Sequence, residues 1–564
     1  MSLNPGVVVI LLVVTVLSGC APASQQRNER GSGQDASNPA APKILRVGMQ
    51  NEPDNFLRPG PQGRERSLDF AHAQLTVIDN RGIVIPRLAS EVPSFEKRTW
   101  KVEADGSMEV TWRLRPNARW QDGRQLTADD FLFLWEYLSD AKSVVAGPAW
   151  APFVDRLVAA DPTTLVVHFK QTYALANDVD LRPMPRHILG PAFAAGDMDG
   201  VNNSPHWRHE FVGAGPYRLV SWELGSRIEF TRFDDYFLGR PPLDGVIMSF
   251  FPNPNTLLAN ILAEEVDLHV PSGLEAPHAV ELQRRWAGSA NQVLVGSVGK
   301  VKLMAFQFRP GVAVTPSALR ERAVRQALYR VLDRDAASEA VTHGLGPIAD
   351  SWVPPDDPRR QIATFRDSII QYPYDLDRGR RELAAAGWQP GPDGILVNGA
   401  GERFQFEMRD TGDDYLNVLA DAYKKAGIGV IQTVIPAQQG SDREYRSLHP
   451  GVELTSNTYT EYDKVRLHSS DVAAPGNRYA GGNKGGFTNP EMDRLLDRLA
   501  QTVPPADRTA IQADILNLAL AELPVLPIHW SINVMTATAR VKNLHIPTPL
   551  AVETWNLPEW DMAT

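Results

Sequence analysis

FVGAGPYRLVSWELGSRIEFTRFDDYFLGRPPLDGV, residues 211–246, is the stretch from which the rest of the chain can be ordered. Gly213, Gly215 and Pro216 make a turn, and Tyr217, Leu219 and Ser221 open an alternating run that reads as a strand. Gly225 and Ser226 turn the chain into a second strand, with Ile228 and Phe230 on one side and Arg227, Glu229 and Thr231 on the other. The pattern predicts a hairpin with one buried face. An aromatic knot at Phe233, Tyr236 and Phe237 comes next, and Pro241-Pro242 gives a rigid exit.

Working outward, 564 residues are too many for one hydrophobic core and predict several domains. Hydrophobic residues make up 43% of the chain, and 57 Lys and Arg face 67 Asp and Glu, for a net charge of −10. A phosphate backbone is bound by clustered Lys and Arg, so this balance argues against a nucleic-acid partner. The single cysteine, Cys20, excludes disulfides and cysteine-based metal sites.

Cys20 closes Leu17-Ser18-Gly19-Cys20 behind the apolar run Val7–Leu17. That run is too short to span a bilayer and has the length of a signal-peptide core. The small residues before Cys20 resemble a bacterial lipoprotein signal, which implies lipidation of Cys20 and anchoring to a membrane. The preceding MSLNPG carries no Lys or Arg, a departure from such signals. Residues 21–42 are rich in Ser, Gln, Asn, Ala, Gly and Pro without apolar periodicity, and read as a disordered tether.

KILRVGMQ, residues 43–50, alternates as a first strand, and the polar loop after it makes Asn51 and Glu52 candidate binding residues. Further on, VTWRLR reads as a strand and Asp122-Gly123 as a turn. Thr127 with Asp130 gives a capping-box-like helix start, and Phe131, Leu134, Trp135 and Leu138 predict one buried helical face. Asp129 and Asp130 suit the positive end of that helix and are not read as an acid/base pair. His206 and His209 have the spacing of a metal pair, but no third ligand can be named, so an exposed loop is expected. The chain has neither a G-x-S-x-G elbow nor an H-E-x-x-H helix, and Gly299-Lys300 lacks the frame of a phosphate-binding loop.

The ordered blocks LRVGMQNEP, PRLASE, WRLRPNARWQDGRQLTADDF, VGAGPYRL, FDDYFLGRPPLDGV and ILAEEVDL resemble the family 5 extracellular solute-binding proteins of bacterial ATP-driven importers. So do RERAVRQALYRVLDRDA, YPYDLDRGRRELAAAGW, GGFTNPEMDRLLDRLAQTVPPADR and ELPVLPIHW in the second half. The resemblance implies an α/β, two-lobed periplasmic-binding-protein-like fold of class II type, with an extra subdomain inserted in lobe I. It divides the chain into a signal peptide (1–20), a tether (21–42), lobe I (43–80), the inserted subdomain (81–210), lobe I again (211–305), lobe II (306–527) and a return to lobe I (528–564). The implied role is that of an extracytoplasmic binder, anchored through Cys20 or periplasmic, monomeric, without cofactor or catalysis. It would close on a ligand and deliver it to the permease subunits of an ABC importer.

In peptide-binding members an aspartate of the second lobe receives the ligand's amino group, within a stretch that here corresponds to Glu453–Ser470. Ser456, Asn457, Thr458 and Tyr459 stand there without a Trp or a carboxylate, so Glu461, Asp463 or Glu52 would have to supply the charge. A short peptide is the expected ligand; a sugar, an opine or a metal chelate is the alternative, and a sensory receptor would share every feature above. The expected ligand-binding residues are Asn51, Glu52, Trp352, Arg409, Asn457, Thr458 and Tyr459. An Arg at a strand end can grip a carboxylate with two bonds, and Trp and Tyr suit pocket walls.

Overall fold

A computed structural model describes residues 41–57, 66–145, 150–177, 179, 181–271, 273–312, 314, 316–412, 414–458, 466–545 and 552–563. The chain divides into two units, Met1–Ala41 and Pro42–Thr564. The frame of the second unit is a sheet of ten strands among the described residues. In chain order these are β1 (Ile44–Met49), β2 (Tyr217–Glu223), β3 (Arg227–Arg232), β4 (Gly245–Phe250), β5 (Leu268–His269), β6 (Gln292–Phe306), β7 (Gln405–Asp410), β8 (Gly429–Val434), β9 (Val452–Thr458) and β10 (Val525–Ala537). Their spatial order is β8-β7-β9-β6-β10-β5-β1-β4-β3-β2.

The two long strands at the centre, β6 and β10, are antiparallel and join the halves of this sheet. Their register runs from Gln292↔Ala537 to Ser297↔Ile532, breaks, resumes at Val301↔Trp530 and shifts again between Lys302 and Leu303. Such irregularities bend and twist a ladder locally. On one side of the break, Leu45, Val47, Phe230 and Met248 pack into one core; on the other, Leu303, Phe306, Leu328 and Phe406 pack into a second. The sequence-based boundaries at 305/306 and 527/528 fall inside these long strands.

The hairpin β2–β3 is present, with Gly225 at φ +74° in its turn, a backbone conformation that favours glycine. Its GAGP turn is fixed both by close packing and by backbone bonds, the Gly215 N–H donating to the Ala71 carbonyl at 2.9 Å and the Gly213 carbonyl accepting the Gln121 N–H at 2.9 Å. A Cβ on Gly215 would lie 2.4 Å from the Ala71 carbonyl carbon, and one on Gly213 would lie closer still to the Ala71 oxygen. Gln121 ties the same turn to the following segment. Its amide nitrogen donates to the carbonyls of Ala71, Gly215 and Tyr217 at 3.1, 3.0 and 2.9 Å, and its oxygen accepts from the Gly213 N–H at 3.1 Å. One buried side chain therefore fastens the WQDG loop to the hairpin.

That loop follows the strand Met108–Arg113 of a separate four-stranded sheet, ordered Trp100–Val102, Met108–Arg113, Thr164–Phe169, Val154–Asp161. The helix Ala128–Ser139 starts as expected, with Asp130 Oδ2 accepting the Thr127 N–H at 2.9 Å. Its buried face differs from the simple stripe. Phe131 enters the core of the four-stranded layer, while Phe133 and Tyr137 enter the core under β1–β4. A helix squeezed between two cores buries two faces, which the i, i+3, i+4 pattern of one face cannot reveal. His206, expected on an exposed loop, is instead buried beside Trp207 and Phe211.

This packing has two testable outcomes. Gln121→Leu removes four buried hydrogen bonds and strands groups such as the Gly213 N–H, although the Ala71 carbonyl keeps the Gly215 N–H. At about 1–3 kcal/mol per buried unsatisfied group it should lower the urea midpoint far more than Gln125→Leu at the nearby loop surface. Equal midpoints would contradict the hub role. Separately, burial holds His206, His269 and His529 near pKa 4, and His72 and His449 near 3. The unfolded chain binds these protons near pH 6.5, so stability is retained above that value and lost as pH falls toward 4. Each histidine contributes up to about 1.4 kcal/mol per pH unit in that window. Urea melts at pH 7 and pH 5 should show the loss.

Candidate ligand-binding site

β6 and β9 run antiparallel with Val301 opposite Asn457, Leu303 opposite Thr455 and Ala305 opposite Glu453. Alternate residues of a strand share a side, so these six line one face of the sheet. They form the floor of a cavity with an empty volume of about 910 Å³, including the part open to solvent. Trp352, Phe308 and Phe487 wall it, and the segment Gly482–Gly485 closes over one end.

Close backbone approach builds that end. A Cβ on Gly485 would lie 2.2 Å from the Phe306 carbonyl oxygen, and the Gly485 carbonyl accepts the Phe308 N–H at 2.7 Å. Asn483 closes the loop on itself: its Nδ2 donates to the Phe487 carbonyl at 2.7 Å, and its Oδ1 accepts the Phe487 N–H at 3.0 Å. Arg309 reaches underneath, donating to the carbonyls of Ser447 and Ala473 at 2.6 Å each, and to that of Lys484. The loop is thus held by its backbone, and the Lys484 ammonium has no hydrogen-bond or ion-pair partner among the described residues. Burial lowers its pKa below the ordinary lysine range; Arg446 and Arg466 push the same way, while Glu453 opposes them.

Glu453 is the second charge in the cavity, with 1% of its surface exposed. Arg446 donates both Nε, at 2.7 Å, and Nη2, at 2.6 Å, to its Oε1. Oε2 is buried and has no partner among the described residues. A buried carboxylate oxygen without a donor is costly. The cavity therefore offers one free ammonium, one free carboxylate oxygen and an apolar wall. Asn457 adds a polar rim group, its Oδ1 accepting from Arg466 Nη1 at 3.0 Å.

Of the residues expected from sequence, Trp352 and Asn457 meet in this cavity. Thr458 ends β9, with its side chain outside the described residues, as are Tyr459, Glu461, Asp463 and Cys20. Asn51 and Glu52 lie in the other half of the sheet. Glu52 Oε1 accepts the Trp222 Nε1–H at 2.6 Å and Oε2 accepts the Gly225 N–H at 2.8 Å, which orients the hairpin. Arg409 donates to Glu407 at 2.5 Å and sits over the Tyr445 ring at 4.7 Å. Behind the floor, on the opposite face, Lys302 Nζ donates to Asp410 Oδ2 at 2.6 Å and lies over Tyr415, whose hydroxyl is 2.6 Å from His529 Nε2.

Glu453, Lys484, Phe308 and Phe487 were not singled out from sequence. The period-2 alternation of ELTSN places Glu453 on the side of Thr455 and Asn457, a legible signal. Lys484, between two glycine pairs, carried none. No group of three or more His, Cys, Asp or Glu that could hold a metal ion occurs among the described residues. No described helix is long and apolar enough to cross a membrane.

The sequence profile of the bacterial extracellular solute-binding proteins, family 5 Middle, matches residues 84–463. Protein XP55 of Streptomyces lividans is 28% identical over 511 residues, covering 87% of this chain and 84% of that protein. The oligopeptide-binding protein AppA of Bacillus subtilis is 24% identical, over 76% of this chain and 75% of its own. Among solved structures, the oligopeptide-binding protein of Thermus thermophilus complexed with a pentapeptide superposes with a TM-score of 0.69 at 23% identity, covering 92% of this chain and 96% of that one. The periplasmic EDTA-binding protein EppA superposes with a TM-score of 0.73 at 15% identity, over 93% and 97% of the two chains. These likenesses give the two-lobed α/β fold. The chain belongs to the family 5 bacterial extracellular solute-binding proteins.

Proposed function

We propose that this protein captures a short peptide with free termini and delivers it to the permease subunits of an ABC importer. The observation that carries the reading is that one apolar-walled cavity holds both a carboxylate oxygen without a donor, Glu453 Oε2, and the Lys484 ammonium. Glu453 Oε2 accepts the ligand's ammonium, and the Lys484 ammonium receives its carboxylate. The Thr455–Tyr459 segment lacks the acid that peptide-binding members carry there; Glu453 supplies the charge from the same strand, on the face shared with Thr455 and Asn457. Trp352, Phe308 and Phe487 give side chains a large surface to pack against without selecting among them. Peptide-binding relatives such as AppA support the same class.

A second reading has an observation of its own. Lys484, Arg446 and Arg466 outnumber Glu453 around the cavity, and that excess suits an anionic solute such as an opine or a metal chelate. The Ni(L-His) complex of NikZ from Campylobacter jejuni and the EDTA-binding EppA are precedents within this fold.

Calorimetry with free, N-acetylated and C-amidated tripeptides separates the readings. The free peptide should bind, and Glu453→Gln should weaken it about tenfold or more, since a charge-assisted hydrogen bond is worth about 1.5–3 kcal/mol. The N-acetylated peptide should bind weakly to both proteins. If no tripeptide binds while an anionic chelate does, the peptide reading is wrong.

The protein is further proposed to act as a monomer outside the cytoplasm, tethered by lipid on Cys20. Cys20→Ser should move it from the membrane fraction to the soluble fraction. Retention in the membrane fraction would remove the anchor from the reading.

A further inference from the structure

A second cavity, far in sequence from the first, has an empty volume of about 400 Å³ including its open part. Separated parts of the chain meet around it: Asp69–Val77 at and beyond the end of the helix Arg66–Ala71, Arg87, Arg182, Pro216, Tyr236, and Val552–Pro558 near the C-terminus. Its chemistry is set by Arg87. This residue is 9% exposed, and its backbone is pinned: its N–H donates to the Leu75 carbonyl at 2.8 Å and its carbonyl accepts from Arg115 Nε at 2.6 Å. Its guanidinium has no hydrogen-bond or ion-pair partner among the described residues. Burial pushes its pKa below the ordinary arginine value, but a guanidinium keeps its proton in proteins. Asp69 and Glu559 favour its charged form through space, but neither bonds it, and it faces an open cavity.

Two further groups are left without partners beside it. Gln74 Oε1 is buried and unpaired, and its amide can turn to present N–H instead. Tyr236 is almost fully buried; burial pushes its pKa up to about 12, so it remains an O–H donor at neutral pH. Arg87 and Tyr236 are near enough to influence each other's ionisation. The other charges in the wall are already matched. Arg182 donates to Asp69 Oδ1 at 2.9 Å, and the Thr554 hydroxyl donates to Asp69 Oδ2 at 2.5 Å.

The charge left without a bonded partner is therefore a single positive one, and the Asp69 carboxylate in the same wall disfavours a second negative charge on any occupant. Trp555 and Leu557 make another part of the lining apolar. We propose that this cavity binds a small monocarboxylate, its two oxygens on the Arg87 fork with Gln74 and Tyr236 as further donors, and its alkyl end against Trp555 and Leu557. A guanidinium matches a carboxylate with two parallel bonds. The occupant would tie the inserted subdomain to the C-terminal segment, so binding stabilises the folded chain by mass action.

Thermal melts of the mature chain with sodium propionate at constant ionic strength test this, with chloride and sulfate as separate arms. Propionate should raise the melting temperature saturably by a few degrees. Arg87→Met should melt higher than the native protein without ligand, because the unpaired charge is gone, and should lose the propionate response. Gln74→Leu should need several-fold more propionate for the same rise. The double variant Trp352→Ala/Lys484→Met should respond like the native protein, which separates this cavity from the peptide site and its reading. Saturation-transfer NMR on the propionate methyl needs no variant and should show contact with the native protein. The proposal fails if propionate gives neither a rise nor saturation transfer, or if Arg87→Met keeps the response. It also fails if the double variant abolishes the response, or if chloride or sulfate produces the same rise.

Discussion

The ladder between β6 and β10 is the interaction on which the rest depends, because it is the hydrogen-bonded seam between the two halves of the ten-stranded sheet. Two adjacent antiparallel strands resist shear along their length but bend where their register breaks, between Ser297 and Val301. That is also where the sheet passes from the core containing Leu45 and Met248 to the core containing Leu303 and Phe406. Hinge closure in two-lobed binders requires a few element-terminal or irregular positions to absorb the dihedral change while both bodies stay rigid. In this chain the broken register lies between two packed cores.

The ligand cavity illustrates how expensive polar groups are distributed in such a frame. On the face of the sheet away from the cavity, Lys302, Asp410, Tyr415 and His529 satisfy one another. On the cavity face, Arg446 answers one oxygen of Glu453 and nothing answers the other among the described residues, and Lys484 is held out by a loop whose bonds are made by backbone and by Asn483 and Arg309. Unfulfilled donors and acceptors are rare in folded proteins. Buried polar atoms without a partner also occur in the scaffold, at Trp112 Nε1, Tyr217 Oη and Thr538 Oγ1 for example. What marks the two cavities is that Glu453 and Lys484 in one, and Arg87 and Gln74 in the other, line space that a ligand can enter.

Much of the frame could be read from the chain itself. The first strand, the hairpin with its Gly225 turn and the Thr127–Asp130 capping box all arise from short-range patterns, since their determinants are neighbours in sequence. The roles of Gln121 and Glu52 could not be read, because each is defined by carbonyls or N–H groups some 50 to 173 positions away. Glu52 was expected to face a ligand as the polar residue after a strand; it caps the hairpin instead, a use that a strand-end carboxylate shares with binding. Within the cavity, Trp352 and Asn457 were legible as loop and strand residues. Lys484 was not, because its exposure to the cavity comes from the fold of its glycine-flanked loop and not from any periodicity.

The C-terminal residues have a consequence for how the molecule is made. Met535, Ala537, Val541, Leu557, Trp560 and Met562 pack into the same core as Leu45, Phe70 and Met248, and β5 reaches β6 only through β10. The core that contains β1 therefore cannot be finished until residues 525–562 are available. The intervening segment, by contrast, brings most of its own core with it in one continuous stretch. Synthesis and export proceed from the N-terminus, so the first-made core waits, with its apolar face uncovered, for the last-made strand. A lost C-terminus would cost the first core more than the second, though it lies hundreds of residues from where that core begins.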